Sequence, residues 1–193
     1  MNSNIIIQRI KKGLPVIVVD DKHREDEGDI FFSAQKITIS WMAFTVRHTS
    51  GIVCAPLTQA RARELRLRPL MSRPTNRHGC KFLMPVDVHH GAPSGVSAHD
   101  RVLTLRRLVH PQAKPGDFGR PGHVFPLLAH QKLLRGRRGH TEAAITLLTI
   151  AHMPLVGVIA ELMHDNGTMM RSASLKRFAQ KFSIPVVQIE EIG

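Results

Sequence analysis

The sequence predicts one α+β domain over residues 1–193, a three-layer arrangement in which helices cover both faces of a mixed, twisted β-sheet. Three observations predict it. Short apolar runs rich in β-branched residues, such as Val16 to Val19, are interspersed with stretches of helical periodicity. The alternation of the two lacks a strict strand-helix-strand rhythm, which speaks against a doubly wound parallel sheet. No Pro/Gly/Ser-rich linker or break in composition divides the 193 residues, and a chain of this size buries a core without staples.

Ser3 to Lys12 reads as a short amphipathic helix with Ile6, Ile7 and Ile10 on one side and Gly13 as its stop. Val16 to Val19 is a strand ending at Asp20, and Ile30 to Phe32 is a strand starting directly after Asp29, so the residues between them form a loop. A helix near Ser40 to His48 leads into an apolar strand, Ile52 to Ala55. Thr58 opens a further helix with Ala62 and Leu65 facing inward and arginines facing out. Ser97, with Asp100 three residues on, has the signature of a capping box for a helix reaching Leu108, and 111–122 reads as a loop. Thr141 to His152 is helical, Val156 to Glu161 is an apolar strand, and Asp165-Asn166-Gly167 is a tight turn. Ser174 caps a last helix and Ile184 to Ile189 is a closing strand.

The chain carries 27 Lys and Arg against 15 Asp and Glu, a formal net charge of +12. Such an excess suits nucleic-acid binding, but Arg61, Arg63, Arg66, Arg68 and Arg73 are scattered, aromatic residues make up 5% and Tyr is absent. Stacking on single strands needs more rings, so nucleic acid is not the expected partner; solvated basic faces and attraction of a small phosphorylated substrate account for the charge. Two cysteines, Cys54 and Cys80, give no disulfide framework, which points to a reducing cytoplasm. No apolar run is long enough to span a membrane, and no signal-peptide layout is present.

Six acidic residues fall within ten positions: Asp20, Asp21, Glu25, Asp26, Glu27 and Asp29. Carboxylates at that density repel one another unless a cation or basic partners sit among them, so the loop reads either as a metal or substrate site or as a solvated acidic turn. In Arg137-Arg138-Gly139-His140-Thr141, a glycine before a helix lets a ligand approach, first-turn N–H groups attract anions and the arginines add charged donors. That pattern reads as a phosphate cradle or as a plain basic loop before a helix. His123 lies in Arg120-Pro121-Gly122-His123-Val124-Phe125-Pro126, where two prolines stiffen the chain around an imidazole; it reads as an acid/base group or as a hydrogen-bonded loop histidine. Structural roles are expected for His23, His48, His78, His89, His90, His110, His130, His152 and His164. Glu161 closes an apolar strand, where a carboxylate has a raised pKa unless it is paired. No dinucleotide fingerprint or Walker A motif is present, and no HExxH motif supports a metallohydrolase.

These segments, together with Gly13 to Asp21, Gly51 to Cys54, Ser94 to Arg101, Gly157 to Glu161 and Asp165 to Met169, resemble in order the 3,4-dihydroxy-2-butanone 4-phosphate synthase family of riboflavin biosynthesis. The resemblance implies conversion of D-ribulose 5-phosphate to L-3,4-dihydroxy-2-butanone 4-phosphate and formate by a homodimer whose active sites are shared between subunits. It implies Mg²⁺, with Mn²⁺ as a substitute, held by Glu25 and His140, and no organic cofactor. It assigns His123 and Glu161 as the essential catalytic positions and Glu27 as a loop carboxylate near the reacting carbons. Arg24, Glu25, Asp29 and Glu161 are assigned to the substrate, with Arg137, Arg138, Gly139, His140 and Thr141 around its phosphate. Three stretches depart from the family pattern: His130 to Leu134 replaces a flexible acidic Gly-Gly segment, Phe82 to Pro85 lacks two hydroxyls, and Ala160 stands where a cysteine is usual. The alternative is a catalytically weakened homologue acting as a basic binding module, whose signature would be loss of Glu25, His123, His140 or Glu161; none is lost.

Overall fold

A computed structural model of the chain describes residues 3–21, 24–72, 75–76 and 78–192; His23 and Arg73 lie outside them. Strands β1 (Val16–Val19), β2 (Gly28–Ser33), β3 (Cys54–Leu57), β4 (Val86–Val88), β5 (Phe118–Leu128), β6 (Gly157–Glu161) and β7 (Val186–Gln188) form one sheet in the order β4-β5-β3-β6-β2-β1-β7. The β1/β7 and β3/β5 pairs are parallel and the other four are antiparallel, so the sheet is mixed, as expected.

Both faces of the sheet are covered, which is why β1, β2 and β3 are buried at every residue rather than alternately. Val16, Val18, Phe31 and Ile159 pack with Ile6 and Ile10 of α1 (Ser3–Lys11) and with Ala143 to Leu148 of α5 (His140–Ile150). Ile17, Val19, Ile30, Phe32, Val158 and Ala160 pack on the other face. Their partners come from α2 (Ile39–His48), α3 (Gln59–Glu64), α4 (Ala98–Val109) and α6 (Ser172–Phe182). Phe31 and Phe32 are fully buried on opposite faces, and truncating either to Ala removes about 3–5 kcal/mol.

Several boundaries differ from the sequence reading. β3 begins at Cys54 because Gly51 takes a positive φ and leaves Ile52 exposed at a bend. Ser174 is the third residue of α6, where its hydroxyl accepts from the Arg171 N–H, and the helix starts at Ser172. The segment expected as a loop to Gly122 is already strand from Phe118. Val88 and Asp87 face Phe118 and Gly119, but Val86 faces Val124, so residues 120–123 have no counterpart and bulge out of β5.

Thr58 and Ser97 cap α3 and α4 as expected. Asp100 does not complete a box with Ser97. Its carboxylate accepts from the N–H groups of Ser94 and Gly95 and from the Ser94 hydroxyl. Burial alone would raise this carboxyl, but hydrogen bonds from His99, Ser97 and Ser94 outweigh it and hold the pKa down at about 2. A depressed carboxylate pKa stabilises the fold above the ordinary value of about 3.9, and that contribution is lost as pH falls from there towards 2. Asp100→Asn is therefore expected to lower stability at pH 7 and to flatten the loss of stability between about pH 4 and pH 2, read from denaturant midpoints across that range.

Candidate active site

The β1–β2 hairpin carries the acidic loop to one end of the sheet. Asp29 on β2 lies opposite Glu161 on β6, and both share the pleat direction of Phe31 and Ile159, so they face the layer containing α5. Asp20 is buried; its Oδ1 accepts from the Glu27 N–H at 3.0 Å and its Oδ2 from Arg24 at 2.6 Å. The same Arg24 nitrogen bonds Glu25. Burial pulls the Arg24 guanidinium down, but Asp20 and Glu25 overcome this and hold it above its usual value. Asp29 is pushed well above the carboxylate range by burial and by the nearby charges of Glu161, Glu25 and Asp20.

His140, the first residue of α5, is buried against this group, with Nδ1 3.9 Å from Asp29 Oδ1. Burial holds its pKa down, so the imidazole is neutral, the form that binds metals. One donor atom each from Asp20, Glu25 and His140 lies within 4.8 Å of the others. Among the described residues, His140 Nε2 and Asp29 Oδ1 are buried polar atoms without a hydrogen-bond partner. Unpaired buried donors and acceptors are costly, and a divalent cation satisfies such atoms. Two carboxylates and one imidazole suit Mg²⁺ or Mn²⁺, with water and substrate oxygens completing the shell.

Gly139 precedes α5, and no side chain caps the helix. A Cβ there would meet the Arg137 guanidinium at 2.4 Å, so the glycine lets Arg137 fold back across the helix start. Arg137 spends its donors within the chain: on Glu142 at 2.6 Å, on the His78 carbonyl and on Cys80 Sγ. Glu142 is fully buried and also accepts from the His130 N–H. Arg137 is thus a structural partner of α5. Arg138 is exposed and lines a cavity of about 770 Å³ with Asp20 and Asp21, while Thr141 is buried in the first turn.

His123 sits in the β5 bulge. Its Nδ1 is 2.6 Å from Asp87 Oδ2, and its N–H donates to Asp87 Oδ1 at 2.9 Å. A carboxylate at Nδ1 fixes the proton there and leaves Nε2 as the reactive nitrogen. Two glycines permit the contact: a Cβ on Gly122 would lie 2.1 Å from the Val86 carbonyl carbon, and one on Gly95 2.0 Å from Asp87 Oδ2. Cys54 of β3 pairs with both Phe125 and Ile159. His123 and Glu161 therefore lie towards the same end of the sheet, on strands separated by β3. Glu161 is held through its main chain and side chain, since Ser50 N–H donates to its carbonyl at 2.9 Å and Ser50 Oγ to Oε2 at 2.8 Å. Glu27 accepts from Arg171 at 3.2 Å.

Of the residues singled out in the sequence, Arg24, Glu25, Asp29, His140 and Glu161 come together, Gly139, Arg138 and Thr141 border them, and His123 stands apart across β3. Three participants were missed. Asp20 was counted in the acidic cluster but not as a donor to metal. His78, read as structural, places Nε2 3.2 Å from Glu25 Oε1. Asp87, an acid between two apolar strand residues, carried the signal of a polar group in a strand and nothing to name its partner.

The model of the 3,4-dihydroxy-2-butanone 4-phosphate synthase family matches residues 4–193. The synthase of Edwardsiella ictaluri is 44% identical over 186 residues, covering 96% of this chain and 85% of the relative, and that of Candida albicans is 44% identical over 187 residues, covering 96% and 92%. A crystal structure of such a synthase in complex with two magnesium ions superposes with a TM-score of 0.95 at 38% identity, covering 98% of this chain and 93% of the other. A two-domain synthase from A. baumannii superposes at 0.94 and 32% identity, with 100% of this chain matching 56% of that one. With sequence and fold agreeing over nearly its whole length, this chain belongs to the 3,4-dihydroxy-2-butanone 4-phosphate synthase family.

Proposed function

We propose that the protein converts D-ribulose 5-phosphate to L-3,4-dihydroxy-2-butanone 4-phosphate and formate for riboflavin biosynthesis. The observation that carries this is the donor set of Asp20, Glu25 and buried His140, one atom of each within 4.8 Å of the others, at the sheet end that also presents Asp29 and Glu161. Glu25 and His140 hold Mg²⁺, with Asp20 as a third donor; Mn²⁺ substitutes. Once bound, the cation polarises the ketose oxygens and acidifies the adjacent C–H. The two products together contain every atom of the substrate, so no co-substrate is consumed.

The remaining roles belong to side chains. His123, its tautomer set by Asp87, moves protons at Nε2. Glu161, oriented by Ser50, is the second acid/base group. Glu27, tethered to Arg171, lies near the reacting carbons, and Asp29 and Arg24 bind the sugar. The phosphate binds at the α5 N-terminus, on N–H groups at Gly139, His140 and Thr141 and on the Arg138 guanidinium. Arg137 supports that cradle through Glu142.

A homodimer completes the arrangement. His123 is 47% exposed in its side chain and lies across β3 from Glu161, while Ile52 and Val96 are exposed apolar side chains near that end. A second copy placed there brings His123 to the metal end of its partner. Free Cys54 and Cys80 suit the cytoplasm. The binding-module alternative has no observation in its favour.

The direct test is formate release from ribulose 5-phosphate: turnover with Mg²⁺ and none after chelation is expected. Glu25→Gln and His140→Ala should weaken Mg²⁺ affinity, measured by calorimetry, by about 10-fold or more, whereas His164→Ala leaves it unchanged. Arg138→Ala is expected to raise KM with little change in melting temperature. Arg137→Ala should instead lower stability by about 3–5 kcal/mol because it strands the buried Glu142 carboxylate.

A further inference from the structure

The segment Ser94 to Arg101 was prominent in the sequence, yet none of it enters the chemistry above. Its consecutive residues Asp100 and Arg101 face different parts of the site. Asp100 clamps the Ser94–Gly95 turn, and Gly95 packs directly on the Asp87 carboxylate that orients His123. One turn later, Thr104 Oγ1 accepts from the Val88 N–H at 3.0 Å, which ties β4 to the same helix. Arg101 reaches the other way: its Nη1 donates to the Gly51 carbonyl at 2.9 Å. Gly51 follows Ser50, whose N–H and hydroxyl both hold Glu161.

We propose that Arg101 is a positioning residue that fixes the acid/base group Glu161 through the Gly51–Ser50 turn. Nε of Arg101 is buried without an acceptor among the described residues, so the guanidinium is only partly satisfied by Gly51. Burial pulls its pKa down and Asp87 is the carboxylate that opposes this. The arrangement makes the spacing of Glu161 and His123 within one subunit a property of one helix turn, because both tethers start at adjacent α4 residues. A lysine at this position retains the charge and one donor but not the planar fork.

This inference rests on the functional reading above, and the experiment separates the two. The protein carrying Arg101→Met, Arg101→Lys or Ser50→Ala, saturated with Mg²⁺, is assayed for formate release, and carboxyl-carbon NMR records the Glu161 side chain. Arg101→Met is expected to lower kcat on the order of 100-fold with KM within about threefold. Its Glu161 signal should move towards that of Ser50→Ala, and Arg101→Lys should recover about tenfold of the lost kcat. An Arg101→Met enzyme with near-native kcat, an unmoved Glu161 signal, or a loss that Arg101→Lys does not relieve would overturn the proposal. Should the unaltered protein release no formate, the functional reading fails, and the Glu161 signal in Arg101→Met still decides the positioning role.

Discussion

Everything at the working end of this protein follows from the opposition of Asp29 and Glu161 on neighbouring strands. Two acids in register across an antiparallel pair disfavour each other, and Asp20 and Glu25 add to the repulsion. Among the described residues, the Arg24 guanidinium is shared between Asp20 and Glu25, and two imidazoles approach the group, that of His78 at Glu25 and the neutral one of His140. That leaves negative charge and unpaired atoms in a buried place, a condition stable only with protons or a cation. Metal affinity is thus the cost of the strand register transferred to a ligand.

The basic excess has a structural part. Arg9, Arg61, Arg106, Arg120 and Arg137 each donate to main-chain carbonyls of other segments, at Pro15, Leu108 and His110, Ile37, Leu65 and His78 respectively. A guanidinium fork satisfies loop carbonyls while its stem covers apolar surface. Charge that composition alone assigns to solvent or to an anionic partner is in these five cases engaged with the chain itself.

What was legible in the sequence was what periodicity and local chemistry encode. The apolar run Val16 to Val19 marks β1 to the residue, and the acidic loop between β1 and β2 is in place. The helix read over Thr141 to His152 is present as α5, displaced to His140–Ile150. Contacts between distant segments were not legible. Pro121 and Gly122 read as breakers, yet a bulge accommodates both within β5, because β4 needs a residue without a side chain at the crossing. Asp100 has the spacing of a capping box, but the Ser94–Gly95 turn offers three donors and captures its carboxylate. Arg137 has a partner that nothing nearby in the sequence announced, the Glu142 carboxylate buried beneath it.

The position of β6 between β2 and β3 governs when the site can exist during folding. The β1–β2 hairpin is local and places the acidic loop early, but β2 acquires Glu161 as a neighbour only after the chain has closed a span of more than a hundred residues. Such long-range closure is slow. Until it happens, no strand joins the two halves of the sheet, the floor beneath His140 is incomplete, and the loop carboxylates remain in water where they repel little. The ion site is accordingly a late product of folding, and ion binding there favours the finished topology over every partly assembled one.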